Sequence, residues 1–153
     1  MNAAMTATAI ERAAAPASKP TVAVVVTTFN HARFLGDALQ SITDQTRPAD
    51  EIIVVDDGST DAPEAVIQGF AGVRFIRQAN QGLSSARNAG LAAARSDFIA
   101  FLDADDLLLP RAVECGLAAH RDLPGAALVY GGHRRTDADG APIGADRYDS
   151  VGR

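Results

Sequence analysis

The chain has 153 residues, enough for one domain of ordinary size and too few for two. Its formal net charge of −5 leaves no basic footprint for nucleic acid or for an anionic membrane. The 14 basic residues are 13 Arg and the single Lys19, which excludes chemistry needing a later lysine: a P-loop, a Schiff base or a receiver-type switch.

The first 20 residues are rich in Ala and Thr and lack a continuous apolar stretch, so 1–20 reads as a disordered leader and not a signal peptide. Val22–Val26 is a continuous β-branched and small apolar run, the mark of a strand buried on both faces. Thr27-Thr28-Phe29-Asn30 follows as a polar loop. Phe34, Leu35, Ala38, Leu39 and Ile42 then recur at helical spacing, which predicts an amphipathic helix over 32–45. Arg47-Pro48 ends it.

A second apolar run, Ile52–Val55, stops at Asp56-Asp57-Gly58-Ser59-Thr60-Asp61. Pro63 at a first turn, capped by Asp61 or Thr60, predicts a short helix through Val66, Ile67 and Phe70. Val73–Ile76 is a short third strand. Gly82–Ala94 is helical and full of small residues, which predicts close packing on a sheet. Phe98–Leu102 is a fourth strand that ends at Asp103-Ala104-Asp105-Asp106. Pro110–His120 is a helix in which Cys115, the one cysteine, reads as a packed thiol. Ala126–Tyr130 is a fifth strand. From Gly131 onward Gly, Asp and Arg dominate and periodicity is lost, so 132–153 is expected to be irregular. No stretch approaches the ~20 apolar residues of a membrane helix.

Regular alternation of strand and helix predicts an α/β fold: a mostly parallel, Rossmann-like sheet with helices on both faces. Ligands of such sheets bind beyond the carboxyl ends of the strands, near a topological switch point. The polar clusters 27–30, 56–61 and 103–106 each follow a strand directly. If those strands are neighbours, the three clusters share one crevice.

Each cluster has two readings. Asp103, Asp105 and Asp106 place carboxylates that repel by roughly 4 kcal/mol at ~4 Å and an effective dielectric of ~20. Mg²⁺ or Mn²⁺ shared with substrate phosphates relieves that repulsion; alternatively these residues are turn formers. Asp56 and Asp57 are either acceptors for a base N–H or ribose hydroxyls, or parts of a glycine turn with Ser59 or Asp61 capping the next helix. In Asn80-Gln81-Gly82-Leu83-Ser84-Ser85-Ala86-Arg87-Asn88-Ala89-Gly90 the helix amides could face phosphates and Arg87 could clamp them, or Arg87 is a surface residue. His31, His120 and His133 share no metal-ligand spacing and read as bystanders.

Val24–Asn30, Val54–Asp61, Asn80–Gly90 and Phe101–Asp106, in this order, together resemble the N-terminal, donor-binding half of a family-two inverting glycosyltransferase of the GT-A fold. The resemblance spans 22 to about 131. It implies a nucleotide-sugar donor, with a UDP-sugar the leading choice, and transfer with inversion. It implies that Thr27, Phe29 and Asn30 belong to the first nucleotide-contact loop. Asp57 is similar to the carboxylate that accepts the uracil N–H, with Asp56 orienting its loop, and Arg87 to the helix residue near the diphosphate. Asp103 and Asp105 look like the D-x-D pair, Asp103 near ribose or metal and Asp105 on a Mn²⁺ or Mg²⁺ ion. The family's general base falls after this pair, in an acceptor-binding half, and is expected beyond residue 153; no catalytic residue is assigned here. The acceptor, whether polysaccharide, lipid or protein, is left open. The expected partners are then donor and acceptor and no nucleic acid, at a cytoplasmic location compatible with peripheral membrane association.

The competing readings are an inactive nucleotide-sugar-binding fragment, a nucleotidyltransferase, a receiver-like signalling domain and a dehalogenase-type phosphatase. A nucleotidyltransferase would want a Gly-rich loop after the first strand, and no glycine precedes Gly36 there. A receiver wants its acid pair after the first strand, and here the pair follows the second. A phosphatase of that type wants Thr or Val where Leu107 stands.

Overall fold

A computed structural model describes residues 19–137 and 140–144. Of the expected leader at 1–20, residues 1–18 lie outside the described residues, as does half of the expected tail at 132–153.

Four strands form one parallel sheet: β1 (Val22–Thr28), β2 (Glu51–Asp56), β3 (Val73–Arg77) and β4 (Phe98–Asp103), in the order β3-β2-β1-β4. Four helices connect or follow them: α1 (Ala32–Thr43), α2 (Pro63–Ile67), α3 (Leu83–Ala93) and α4 (Ala112–Asp122). β1 is central and every one of its residues is buried, as a double-faced apolar run requires. Its alternate side chains serve two cores. Val22, Val24 and Val26 pack with Leu35, Leu39 and Ile42 of α1, with Ile67 of α2 and with Val113 of α4. Val25, with Ile53 and Val55 of β2, packs against Ala86 on the opposite face, which α3 covers. That face is less covered at β4, where Phe101, paired in register with Val25, is exposed.

Gly90 sets the approach of α3 to the sheet. A Cβ built there would lie 2.2 Å from Val25 Cγ1, so only glycine lets the helix backbone come this near. This is the close packing expected of the small-residue segment.

The expected fifth strand is not formed. Ala126–Tyr130 pairs with no described strand, and Leu128 and Tyr130 are exposed. An apolar run becomes a strand only where a ladder receives its N–H and C=O groups, and this run has none. Cys115 is exposed, not packed: α4 turns Val113 and Leu117 inward and carries Cys115 on its outer side. The cap of α2 also differs. Its N-cap is Ala62, in the left-handed region at φ 56°, while Asp61 Oδ2 instead accepts the N–H of Ala32 at 2.8 Å and caps α1.

Candidate functional site

The sheet order decides what meets. From β1 the chain runs outward through β2 and β3, then crosses back to place β4 on the other side of β1. The switch point lies between β1 and β4, and the loops after β1, β2 and β4 leave the same carboxyl edge. In register, Thr27 lies beside Asp103 and Thr28 beside Asp56. The three polar clusters therefore adjoin, as the sequence predicts.

The β1–β4 side is built on Asp103. Its Oδ1 accepts the Thr27 hydroxyl at 3.0 Å and Arg87 Nη2 at 3.0 Å, and Nη2 also reaches Oδ2 at 3.2 Å. Arg87 thus projects from the first half of α3 to the switch point and pairs with the first carboxylate of the D-x-D. Asp105 is half-exposed, and His31 Nδ1 lies 3.8 Å from its Oδ1, so His31 borders the acidic loop and is not a bystander by position. Asp106 has its pKa raised, first by burial and then by the charges of Asp105 and Asp103. Buried Gln45 holds this loop from behind. Its amide donates to Leu109 O at 2.8 Å and accepts from Val113 N at 3.1 Å. No local pattern in the sequence marks Gln45.

The β1–β2 side is built on Ser59, which is 1% exposed. Its N–H donates to Asp56 Oδ1 at 2.8 Å, its hydroxyl accepts the Asn30 N–H at 2.9 Å, and its carbonyl accepts Arg77 Nη2 at 2.6 Å. Asn30, at φ 55°, returns the contact by accepting the Thr60 N–H at 2.9 Å. Asp56 is fully buried, and its Oδ2 faces Arg77 Nε at 3.4 Å. Arg77, which also pairs with Glu64, is a site-building residue that sequence reasoning misses. Phe29 is exposed at the mouth of these loops.

Asp57 turns the other way, toward the entrance of α3. Its Oδ1 accepts Gln78 Nε2 at 2.7 Å and the Gln81 N–H at 2.9 Å, and its Oδ2 accepts the Gly82 N–H at 2.7 Å. Burial pushes its pKa up, but these three hydrogen bonds outweigh burial and the net shift is downward. The anion at the head of α3 is therefore Asp57 itself, and the Gln81 and Gly82 amides expected to face phosphate are already engaged. Gly58 (φ +85°) makes this fit possible, since a Cβ there would lie 3.0 Å from Asn80 N.

Among the described residues, no three His, Cys, Asp or Glu side chains converge to hold a metal ion unaided. The donor set does fit a hard divalent cation that completes its shell from substrate phosphates, because Asp105 offers an accessible carboxylate in a crowd of like charge. Two open grooves, of about 400 and 360 Å³, lie elsewhere, one near Asp50, Arg74 and Arg95 and the other beside α2 and β3. Neither gathers convergent groups as the carboxyl edge does. Among the described residues, no helix is long and apolar enough to cross a membrane.

A parallel sheet layered by helices, with carboxylates and an arginine gathered at its switch point, defines an α/β domain of the GT-A architecture. Residues 23–148 match the Glycosyl transferase family 2 model, and the chain belongs to that family. An uncharacterised glycosyltransferase of Nostoc sp. is 43% identical over 98 residues, which are 61% of this chain and 30% of the relative. The crystal structure of S. aureus TarS 1–349 in complex with UDP-GlcNAc is similar with TM-score 0.62 and 26% identity, over 67% of this chain and 31% of that one. The mannosyltransferase PcManGT from Pyrobaculum calidifontis, in complex with GDP-Man and Mn²⁺, is similar with TM-score 0.62 and 26% identity, over 78% and 37%. The chain spans less than a third of the length of the curated relatives it matches.

Proposed function

We propose that residues 21–131 are the donor-binding part of an inverting glycosyltransferase that takes a nucleotide-sugar, with a UDP-sugar the first choice, and uses Mn²⁺ or Mg²⁺. One observation carries this reading: Thr27, Arg87 and Asp103 join in a hydrogen-bonded group at the switch point, with Asp105 accessible beside it. The complexes of TarS with UDP-GlcNAc and of PcManGT with GDP-Man and Mn²⁺ support it. Thr27, Phe29 and Asn30 line the nucleoside side, Asp57 faces the base, and Asp56 holds their loop. Arg87 supplies positive charge toward the diphosphate. Asp105, with Asp103, would hold the metal, whose chemistry when bound is Lewis-acid stabilisation of the departing nucleoside diphosphate. The base that deprotonates the acceptor hydroxyl is assigned to no described residue, and the acceptor to no class. The whole protein is placed in the cytoplasm.

Calorimetric titration of UDP into the chain, with Mn²⁺ and then with EDTA, tests this reading. Metal-dependent binding is expected. A folded chain that binds no UDP under either condition overturns the reading in favour of an inactive fragment.

A further inference from the structure

Gln78 lies just past the end of β3, away from the acidic loop after β4. Its Nε2 donates to Asp57 Oδ1 at 2.7 Å and to Ser85 Oγ at 3.2 Å. Both amide hydrogens are thereby used, and the Asp57 carboxylate, which can only accept, fixes the amide nitrogen toward itself. With the Gln81 and Gly82 N–H groups, three donors and no acceptor face the Asp57 carboxylate. A carboxylate held this way can only accept, and of its roughly four acceptor positions about one, on Oδ2, stays open. Gln78 is the only side chain among the three donors; the other two are backbone and present whatever the residue. The neighbouring charges, Asp56 and Arg77, pair with each other.

We infer that Gln78 is a positioning residue that acts through Asp57 to set which nucleobase the site accepts. An acceptor-only carboxylate takes a base with a ring N–H on its pairing edge, as in uracil or guanine, over one whose ring nitrogen there is a bare acceptor and whose N–H groups are exocyclic, as in cytosine or adenine. This rests on the proposed reading in which Asp57 faces the base. Gln78 supplies the contact that keeps the carboxylate in that state and orientation.

The test titrates UDP and CDP, with Mn²⁺, into the wild-type chain, Gln78→Glu and Gln78→Leu, with thermal melts of each. Gln78→Glu keeps the shape and replaces a donor by an acceptor. Near pH 8 it is expected to weaken UDP about tenfold and to narrow the UDP-over-CDP preference. Toward about pH 5, where the introduced carboxyl group protonates and donates as the amide did, both are expected to recover. Gln78→Leu is expected to weaken UDP several-fold with no such recovery. Equal loss of UDP and CDP together with a lower melting temperature would make Gln78 a mere brace of α3 and overturn the inference. So would unchanged UDP affinity in both variants. If the wild type itself binds no UDP, the donor-site reading falls and this inference with it; wild-type binding with preference unmoved in the variants defeats Gln78 alone.

Discussion

Two acidic loops leave the same edge of the sheet, and they handle their charge in opposite ways. After β2, Asp56 and Asp57 are 0% and 4% exposed, and Asp57 accepts from one side-chain and two backbone donors. After β4, Asp105 is half-exposed and receives no hydrogen bond from a described residue, while Asp106 carries the repulsion of its neighbours. Carboxylates engaged by the fold in this way are architecture as well as candidate ligand contacts. Unsaturated, crowded ones are held at a cost that an arriving cation can offset. The β2 loop is where the site is shaped, and the β4 loop is where it is left open to a ligand.

Isosteric neutralisation, one carboxylate at a time, sharpens the contrast. Asp105→Asn is expected to have the largest effect: metal-dependent UDP affinity should fall about 100-fold or more, since even outer partners of a metal ligand are worth roughly 10–100-fold. Its melting temperature should hardly move. A large fall in stability with UDP affinity retained would exchange the roles of the two loops. Asp57→Asn should cost about 1–3 kcal/mol in chemical denaturation, because one of the two oxygens becomes an NH2 group that meets a donor, the Gly82 N–H at the Oδ2 position or Gln78 and Gln81 at the Oδ1 position. The pKa of Asp57 is depressed in the fold, so its contribution is present above the ordinary carboxylate value and lost as pH falls through the lowered one. The variant's deficit should accordingly shrink in acid; a deficit that is constant with pH would show that the charge plays no part.

Asp106→Asn should have the smallest effect and the opposite sign. Its pKa is raised, so protonation favours the fold, and that gain is lost as pH rises through the raised value. At neutral pH the variant should be more stable by up to about 0.5 kcal/mol, with the advantage fading in acid. A destabilised Asp106→Asn would mean that this side chain, too, belongs to the architecture.

The sheet was legible in the sequence because burial on both faces leaves continuous apolar runs, and the three clusters were legible because each follows such a run. The interlocking of the loops was not. Asp61 caps a helix that begins 29 residues earlier, and the Asn30 N–H meets Ser59 across the same gap. Arg77 and Gln45 hold loops that they do not adjoin in sequence. Such contacts leave no period and no local signature. The expected strand at Ala126–Tyr130 failed for the converse reason: its pattern was right, but a ladder is a property of two segments.

Gly90 gives the site its ruler. Arg87 lies three residues before it on α3, and the height at which this helix rides over Val25 sets how far the guanidinium reaches toward Asp103. A methyl group added at Gly90, which touches Val25 and not Asp103, would lift the helix and withdraw the cation from the switch point. Damage to the site would then be felt first as a loosened Arg87–Asp103 pair, though its origin is the packing distance between α3 and β1.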